Sequence, residues 1–132
     1  MAESRSKVLL VEDSKFLRIV NGRALTKAGY EVSTAEDGEQ ALRLAHEARP
    51  DVILLDMMIP KLSGPDVLKA LKSNPATMAI PVIVLSSLSQ KNQETFKEMG
   101  AAEYFEKGAL DLEKNPDGLG AAVEGVLRRS RK

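Results

Sequence analysis

The stretch that decides the fold is Asp51-Val52-Ile53-Leu54-Leu55-Asp56-Met57-Met58-Ile59-Pro60. A short apolar run leads directly into an acid, and a proline closes the loop that follows. Such a run is typical of a strand buried on both faces, as in the middle of a parallel sheet. Asp56 then stands where the strand ends, and open α/β sheets bind ligands at the carboxyl ends of their strands. The stretch alone leaves open whether Asp56 only caps a turn.

Composition limits the possible classes of protein. The 132 residues favour one domain, and 43% hydrophobic with 29% charged residues is ordinary for a globular chain. The formal net charge is zero, so no global field attracts nucleic acid or an anionic membrane. The absence of cysteine excludes disulfides and thiolate chemistry, and the single histidine, His46, excludes a histidine-rich metal site. No apolar run approaches the roughly 20 residues of a membrane span, so we expect a cytoplasmic protein or a domain of a longer one.

Strand and helix patterns alternate along the whole chain. Besides the Asp56 strand, short apolar runs predict four further strands, over residues 7–11, 30–35, 80–85 and 102–106. Apolar residues at helical spacing follow each strand, over residues 17–28, 41–48, 67–71, 96–99 and 119–127. This alternation predicts a five-stranded parallel sheet with right-handed crossovers and helices on both faces. We therefore predict a single α/β domain over residues 1–132, with its core at about 7–127.

Polar residues stand at the ends of four of these strands. They are Glu12 and Asp13 after the first, Asp56 at the third, Ser86 at the fourth and Lys107 at the fifth. In a parallel sheet all of these ends lie at one edge, and three neighbouring carboxylates repel one another and favour a divalent cation. Oxygen ligands alone suit Mg²⁺. The Lys107 ammonium and the Ser86 hydroxyl suit a phosphoryl group.

Taken together, these motifs resemble the response-regulator receiver domain, the phosphoacceptor half of two-component signalling. The resemblance runs from about Lys7 to Leu127 and rests on the acid pair, on Leu54-Leu55-Asp56 with Pro60, and on the polar ends of the fourth and fifth strands. It implies the flavodoxin-like, CheY-like (βα)5 fold, a doubly wound parallel sheet of strand order 2-1-3-4-5. In that order the first and third strands are neighbours, and the ligand site lies between them.

The resemblance also implies residue roles. Asp56 would be the phosphorylated residue, and Ser86 and Lys107 would contact the phosphoryl group. The expected Mg²⁺ ligands are the carboxylates of Glu12, Asp13 and Asp56 and the backbone carbonyl of Met58. Ser86 and Tyr104 would be the conformational switch, although Tyr104 could equally serve packing. The output surface would be the face formed by the fourth helix, the fifth strand and the fifth helix.

The expected partners follow from these roles. A sensor histidine kinase or a phosphotransfer protein would donate the phosphoryl group, and a downstream protein would read the output surface. Membrane binding and direct nucleic-acid binding are not expected. Because the domain would catalyse only its own phosphorylation and dephosphorylation, it is not expected to be an enzyme in the usual sense.

Other readings of the same residues remain open. Glu12 and Asp13 could be solvated acids at a helix start, and Ser86 could be a turn residue. A flavin mononucleotide carrier shares the fold, but an acid pair would repel its phosphate. An aspartyl-nucleophile hydrolase usually carries a second acid where Met58 stands. A pseudo-receiver that only binds partners is the main alternative.

Two departures from the family pattern concern the site. Gly108 replaces the proline that usually follows the lysine, so we expect a trans Lys107-Gly108 bond. Met58 and Leu88 occupy the positions that flank the water attacking the phosphorylated aspartate in this family. Because neither side chain can orient a water, we expect both to slow dephosphorylation.

Overall fold

The computed structural model describes residues 6–57, 61, 63–86, 97–106 and 118–130. These residues contain five strands, β1 Lys7–Val11, β2 Glu31–Ala35, β3 Val52–Asp56, β4 Val82–Ser86 and β5 Glu103–Glu106. They also contain four helices, α1 Lys15–Lys27, α2 Gly38–Ala48, α3 Gly64–Ser73 and α4 Gly118–Ser130. Of the helix predicted over residues 96–99, residue 96 lies outside the described residues, and residues 97 and 98 are helical. The helix numbered α4 here therefore corresponds to the last of the predicted helices.

The five strands form one parallel sheet in the order β2-β1-β3-β4-β5, which confirms the predicted fold. The register brings the carboxyl ends level with one another. Val11 of β1 pairs with Leu55 of β3, and Asp56 pairs with Leu85 of β4. The residues that follow these pairs therefore lie at one edge of the sheet.

Apolar side chains cover both faces of the sheet. One core cluster joins alternate residues of the central strands to α2 and α3, and it includes Leu9, Val11, Ile53, Leu55, Val67, Leu68 and Leu71. The other joins the intervening strand residues to α1 and α4, and it includes Leu10, Leu25, Leu54, Ile83, Leu119, Val123 and Val126. All five residues of β3 are buried, as the unbroken apolar run predicts. The prediction of helices on both faces is confirmed.

Helical spacing predicts an apolar face of α1 formed by Leu17, Val20, Ala24 and Ala28, and this prediction is partly wrong. Leu25 is its fully buried residue, whereas Ala28 is the exposed residue that caps the helix. Phe16 and Ile19 remain exposed. Apolar residues surround much of this helix, so spacing alone could not identify the face that packs on the sheet.

Three helices begin at polar side chains that accept hydrogen bonds from backbone amides. Ser14, Asp37 and Ser63 accept from the N–H groups of Leu17, Gln40 and Asp66, respectively. These contacts satisfy amide donors that have no partner within the helix. The Gln40 amide and then the charge of Lys61 hold the pKa of Asp37 below its usual value, against the opposing effect of burial. Asp37 therefore starts α2 as a carboxylate.

Gly64 lies where α3 begins, directly against the residue that follows Asp56. Its N–H donates to the carbonyl of Met57 at 3.2 Å. A Cβ at this position would lie 2.4 Å from the Met57 Cα and 2.9 Å from its carbonyl oxygen. Glycine is required here because the start of α3 approaches the backbone at the end of β3.

We predict that Gly64→Ala destabilises the domain by about 1–3 kcal/mol, since backbone atoms cannot move aside for a methyl group. Gly125→Ala is the matched control, because nothing lies within 4 Å of an added Cβ in that part of α4. It should instead stabilise the helix by roughly 0.5–1 kcal/mol. Urea unfolding of the three proteins measures both effects. A Gly64→Ala variant as stable as the parent would show that the close approach is not retained in solution.

Candidate functional site

The structure brings Glu12, Asp13 and Asp56 together at the carboxyl edge of the sheet. One oxygen from each carboxylate lies within 4.8 Å of the other two. Glu12 and Asp13 directly follow β1, Asp56 is the last residue of β3, and these strands are neighbours. The sheet register brings Asp56 to the adjacent pair Glu12 and Asp13, and we name these three residues the acid cluster.

The acid cluster has a buried side and an exposed side. Glu12 is 1% exposed and Asp56 is 2% exposed, whereas Asp13 faces solvent. Burying carboxylates is unfavourable unless they are paired, hydrogen-bonded or bound to a metal. Three oxygen ligands with one open side fit Mg²⁺, which keeps several of its waters when it binds to proteins.

Backbone contacts fix the position of Glu12. Its N–H donates to the carbonyl of Ala35 at 2.9 Å, which continues the contact between β1 and β2 past the end of the strand. Its carboxylate accepts from the Ser14 N–H at 3.3 Å. The loop after β1 therefore holds Glu12 at both its backbone and its side chain.

Arg18 is a residue of this region that the sequence analysis missed. Its Nη1 donates to the carbonyl oxygens of Glu12 at 2.9 Å and of Asp13 at 3.2 Å. Its Nη2 lies 3.2 Å from Oε2 of Glu36, which follows β2. The helix dipole disfavours a cation near the start of a helix. The position of Arg18 in α1 was therefore the sequence feature that could have drawn attention to this residue.

Lys61 connects the loop after β3 to the start of α2. Its Nζ lies 3.6 Å from Oδ2 of Asp37 and 3.9 Å from Oε2 of Glu39. Because the Lys61 side chain is exposed, these ion pairs add little stability. Lys61 therefore lies beside the start of α2.

The remaining predicted site residues are only partly described. Ser86 ends β4 one residue beyond the partner of Asp56, so its backbone lies at the same edge of the sheet. Tyr104 is buried in the core cluster that contains α2 and α3, which is consistent with packing, and its role as a switch stays a prediction. Met58, Leu88, Lys107 and the Lys107-Gly108 bond lie outside the described residues.

The family match covers most of the chain. A family model for the response regulator receiver domain matches residues 8–114. The chain belongs to the response regulator receiver domain family. This is a family of signalling domains within two-component systems rather than of typical enzymes.

Relatives in several organisms share this similarity. The chain is 41% identical over 113 residues to the gliding motility regulatory protein of Myxococcus xanthus, covering 85% of this chain and 14% of that protein. It is 35% identical over 125 residues to the alkaline phosphatase synthesis transcriptional regulatory protein PhoP of Bacillus subtilis, covering 94% of this chain and 49% of the relative. The chain thus spans about half or less of the length of these curated relatives.

Solved structures show the same fold. The chemotaxis response regulator CheY4 of Vibrio cholerae superposes with a TM-score of 0.82 at 32% identity, covering 93% of this chain and 99% of that structure. The receiver domain of the Luxo repressor protein of Vibrio parahaemolyticus superposes with a TM-score of 0.84 at 29% identity, covering 97% and 94% of the two chains.

Among the described helices, none combines the length and apolar character needed to cross a membrane.

We predict that Asp13→Ala weakens Mg²⁺ binding and nearly abolishes phosphorylation while the folded domain persists. Removing one carboxylate relieves repulsion within the acid cluster, so the stability of the metal-free protein should hold or rise. Calorimetric Mg²⁺ titration and thermal melts in EDTA measure the two effects. Glu47→Ala removes an equal charge near the far end of α2 and should leave Mg²⁺ affinity unchanged. A clear loss of metal-free stability in Asp13→Ala would instead indicate a structural role.

Proposed function

We propose that this chain is a phosphoacceptor receiver in which Asp56 takes a phosphoryl group in a Mg²⁺-dependent reaction. The donor would be a phosphohistidine on a sensor histidine kinase or a phosphotransfer protein in the cytoplasm. The observation that carries the proposal is the acid cluster, where Asp56 meets Glu12 and Asp13 at the edge of a receiver fold.

Glu12, Asp13 and Asp56, with the Met58 carbonyl, would hold the metal. Bound Mg²⁺ would supply positive charge to the oxygens of the transferring phosphoryl group. The acid cluster suits that task because all of its ligands are hard oxygens and one side is exposed to solvent. The same exposed side leaves room for a donor to approach.

The transfer itself is a displacement at phosphorus. A carboxylate oxygen of Asp56 forms a bond to phosphorus as the phosphorus–nitrogen bond of the donor breaks, and that electron pair leaves with the imidazole. The product is an acyl phosphate on Asp56. The protein's contribution is mainly position and charge, with Lys107 as the further cation and Ser86 as a hydrogen-bond donor.

Phosphorylation would then act by shifting a conformational equilibrium through Ser86 and Tyr104. The output surface would comprise the segment before β5, β5 itself and the last helix, α4. Ion pairs join the three segments. The Glu103 carboxylate at the start of β5 lies 3.6 Å from Lys97 Nζ and accepts from Arg129 Nη2 of α4 at 2.9 Å.

The pseudo-receiver alternative has no observation in its favour. A receiver that no longer accepts phosphate should have lost part of its acid cluster, whereas Glu12, Asp13 and Asp56 are all present. Mg²⁺-dependent labelling by a phosphodonor separates the two possibilities directly.

We predict that Asp56→Asn cannot be phosphorylated. With a small phosphodonor and Mg²⁺, the parent should gain one phosphoryl group in its intact mass, and the variant should gain none because an amide is not a nucleophile here. Asp51→Asn is the matched control at the other end of β3. The Asp51 carboxylate accepts from the Lys7 N–H at 2.7 Å, and an asparagine can keep that contact. Labelling of Asp56→Asn at the parental level would remove Asp56 as the acceptor.

We further predict a long-lived acyl phosphate. Met58 and Leu88 cannot orient an attacking water, and a positioned polar group typically contributes 10²- to 10⁴-fold to such a step. The Met58→Asn/Leu88→Glu double variant should therefore lose its phosphoryl group faster in Mg²⁺ than the parent. Equal decay rates, followed by intact mass over time, would show that these side chains do not set the lifetime.

A further inference from the structure

We propose that Arg18 is a positioning residue for the acid cluster: it holds the backbone of Glu12 and Asp13 in the arrangement that binds Mg²⁺. This inference rests on the proposed function of the cluster. Arg18 itself is not proposed to contact Mg²⁺ or the phosphoryl group.

The first support is the pattern of contacts. One guanidinium nitrogen, Nη1, donates to both the Glu12 and the Asp13 carbonyl oxygens, at 2.9 and 3.2 Å. These residues lie beyond the end of β1, where the Glu12 N–H still donates to the Ala35 carbonyl but regular strand pairing ends. Two consecutive peptide groups are thereby directed toward one side chain of α1. The position of a side chain depends on the backbone that carries it. The hydrogen bonds from Arg18 therefore restrict where the Glu12 and Asp13 carboxylates can lie.

The second support is the anchoring of Arg18 itself. Its side chain is only 16% exposed, and its Nη2 lies 3.2 Å from Oε2 of Glu36. The Glu36 N–H donates to Oε1 of Gln40 in the first turn of α2 at 3.0 Å. Arg18 thus connects the loop after β1 to the loop after β2, so the acid pair is held against a neighbouring part of the fold.

The third support is electrostatic. The helix dipole slightly disfavours a cation close to the start of α1, and the partners of Arg18 offset that effect. Glu36 provides an ionic partner, and the two carbonyl groups provide hydrogen-bond acceptors. The ionic partner of the guanidinium is therefore an acid outside the cluster.

Arginine suits this role better than lysine would. The planar guanidinium presents several donors in fixed directions, and here two of its nitrogens serve three oxygen atoms of three residues. A lysine ammonium could keep the charge and part of the hydrogen bonding. We therefore expect Arg18→Lys to retain part of the function that Arg18→Met loses.

Mg²⁺ affinity is the test, measured by calorimetric titration of the intact chain well below its melting temperature. We expect Arg18→Met to bind Mg²⁺ about 10-fold more weakly or worse, as removal of residues that orient metal ligands typically does. Arg18→Lys should recover part of the affinity. Arg23→Met is the matched control, since Arg23 is an exposed arginine of the same helix and has no ion pair among the described residues. It should bind Mg²⁺ as the parent does.

A cycle with Glu36→Gln tests the anchoring step. If Glu36 acts through Arg18, its loss should weaken Mg²⁺ binding in the parent but have little further effect in Arg18→Met. Thermal melts of the metal-free variants show whether a weaker Mg²⁺ affinity comes from partial unfolding or from a misplaced site. A protein that is almost fully folded at the titration temperature keeps its intrinsic affinity.

The outcomes distinguish this inference from the proposed function. Parental Mg²⁺ affinity in Arg18→Met would overturn the positioning role, even with a lowered melting temperature, and leave the proposed function intact. Failure of Arg18→Lys to recover any affinity would also count against it. A parent that binds no Mg²⁺ and accepts no phosphoryl group would overturn both.

Discussion

Mutual repulsion among the acids at one edge of a parallel sheet is the constraint on which the site depends. Two unit charges about 5 Å apart repel by on the order of 3 kcal/mol at an effective dielectric constant near 20. Two of the three acids, Glu12 and Asp56, are almost fully buried. The proposed Mg²⁺, bound on the exposed side near Asp13, would offset this repulsion.

The fold supports the acid cluster at two levels. Apolar layers on both faces bury all of β3 and all but the first residue of β1, so the acids follow strands that are packed on both sides. Specific contacts then hold the loops that carry the chain away from the sheet. Gly64 packs on the backbone after Asp56, and Arg18 holds the carbonyls of the acid pair. The strand ends determine where the acids leave the sheet. The contacts of Gly64 and Arg18 restrict the backbone of the loops that follow.

Periodicity in the sequence determined the class of fold. Unbroken apolar runs that end in polar residues are typical of parallel strands buried between helices. The structure has such a sheet. The same reasoning predicts Glu12, Asp13 and Asp56 at one edge, because all parallel strands end on the same side. The strand order itself came with the family resemblance, since alternation alone allows several orders.

Only the tertiary structure decided which residues support the site and which face of each helix is buried. Leu25, rather than Ala28, is buried in α1, because the angle at which a helix packs is set by the whole sheet. Arg18 contacts Glu12, Asp13 and Glu36 through a loop geometry that no sequence spacing encodes. Local patterns therefore identified the residues that carry charge at the strand ends. The contacts that position them depend on how the loops turn and the helices pack on the sheet, and these exist only once the chain has folded.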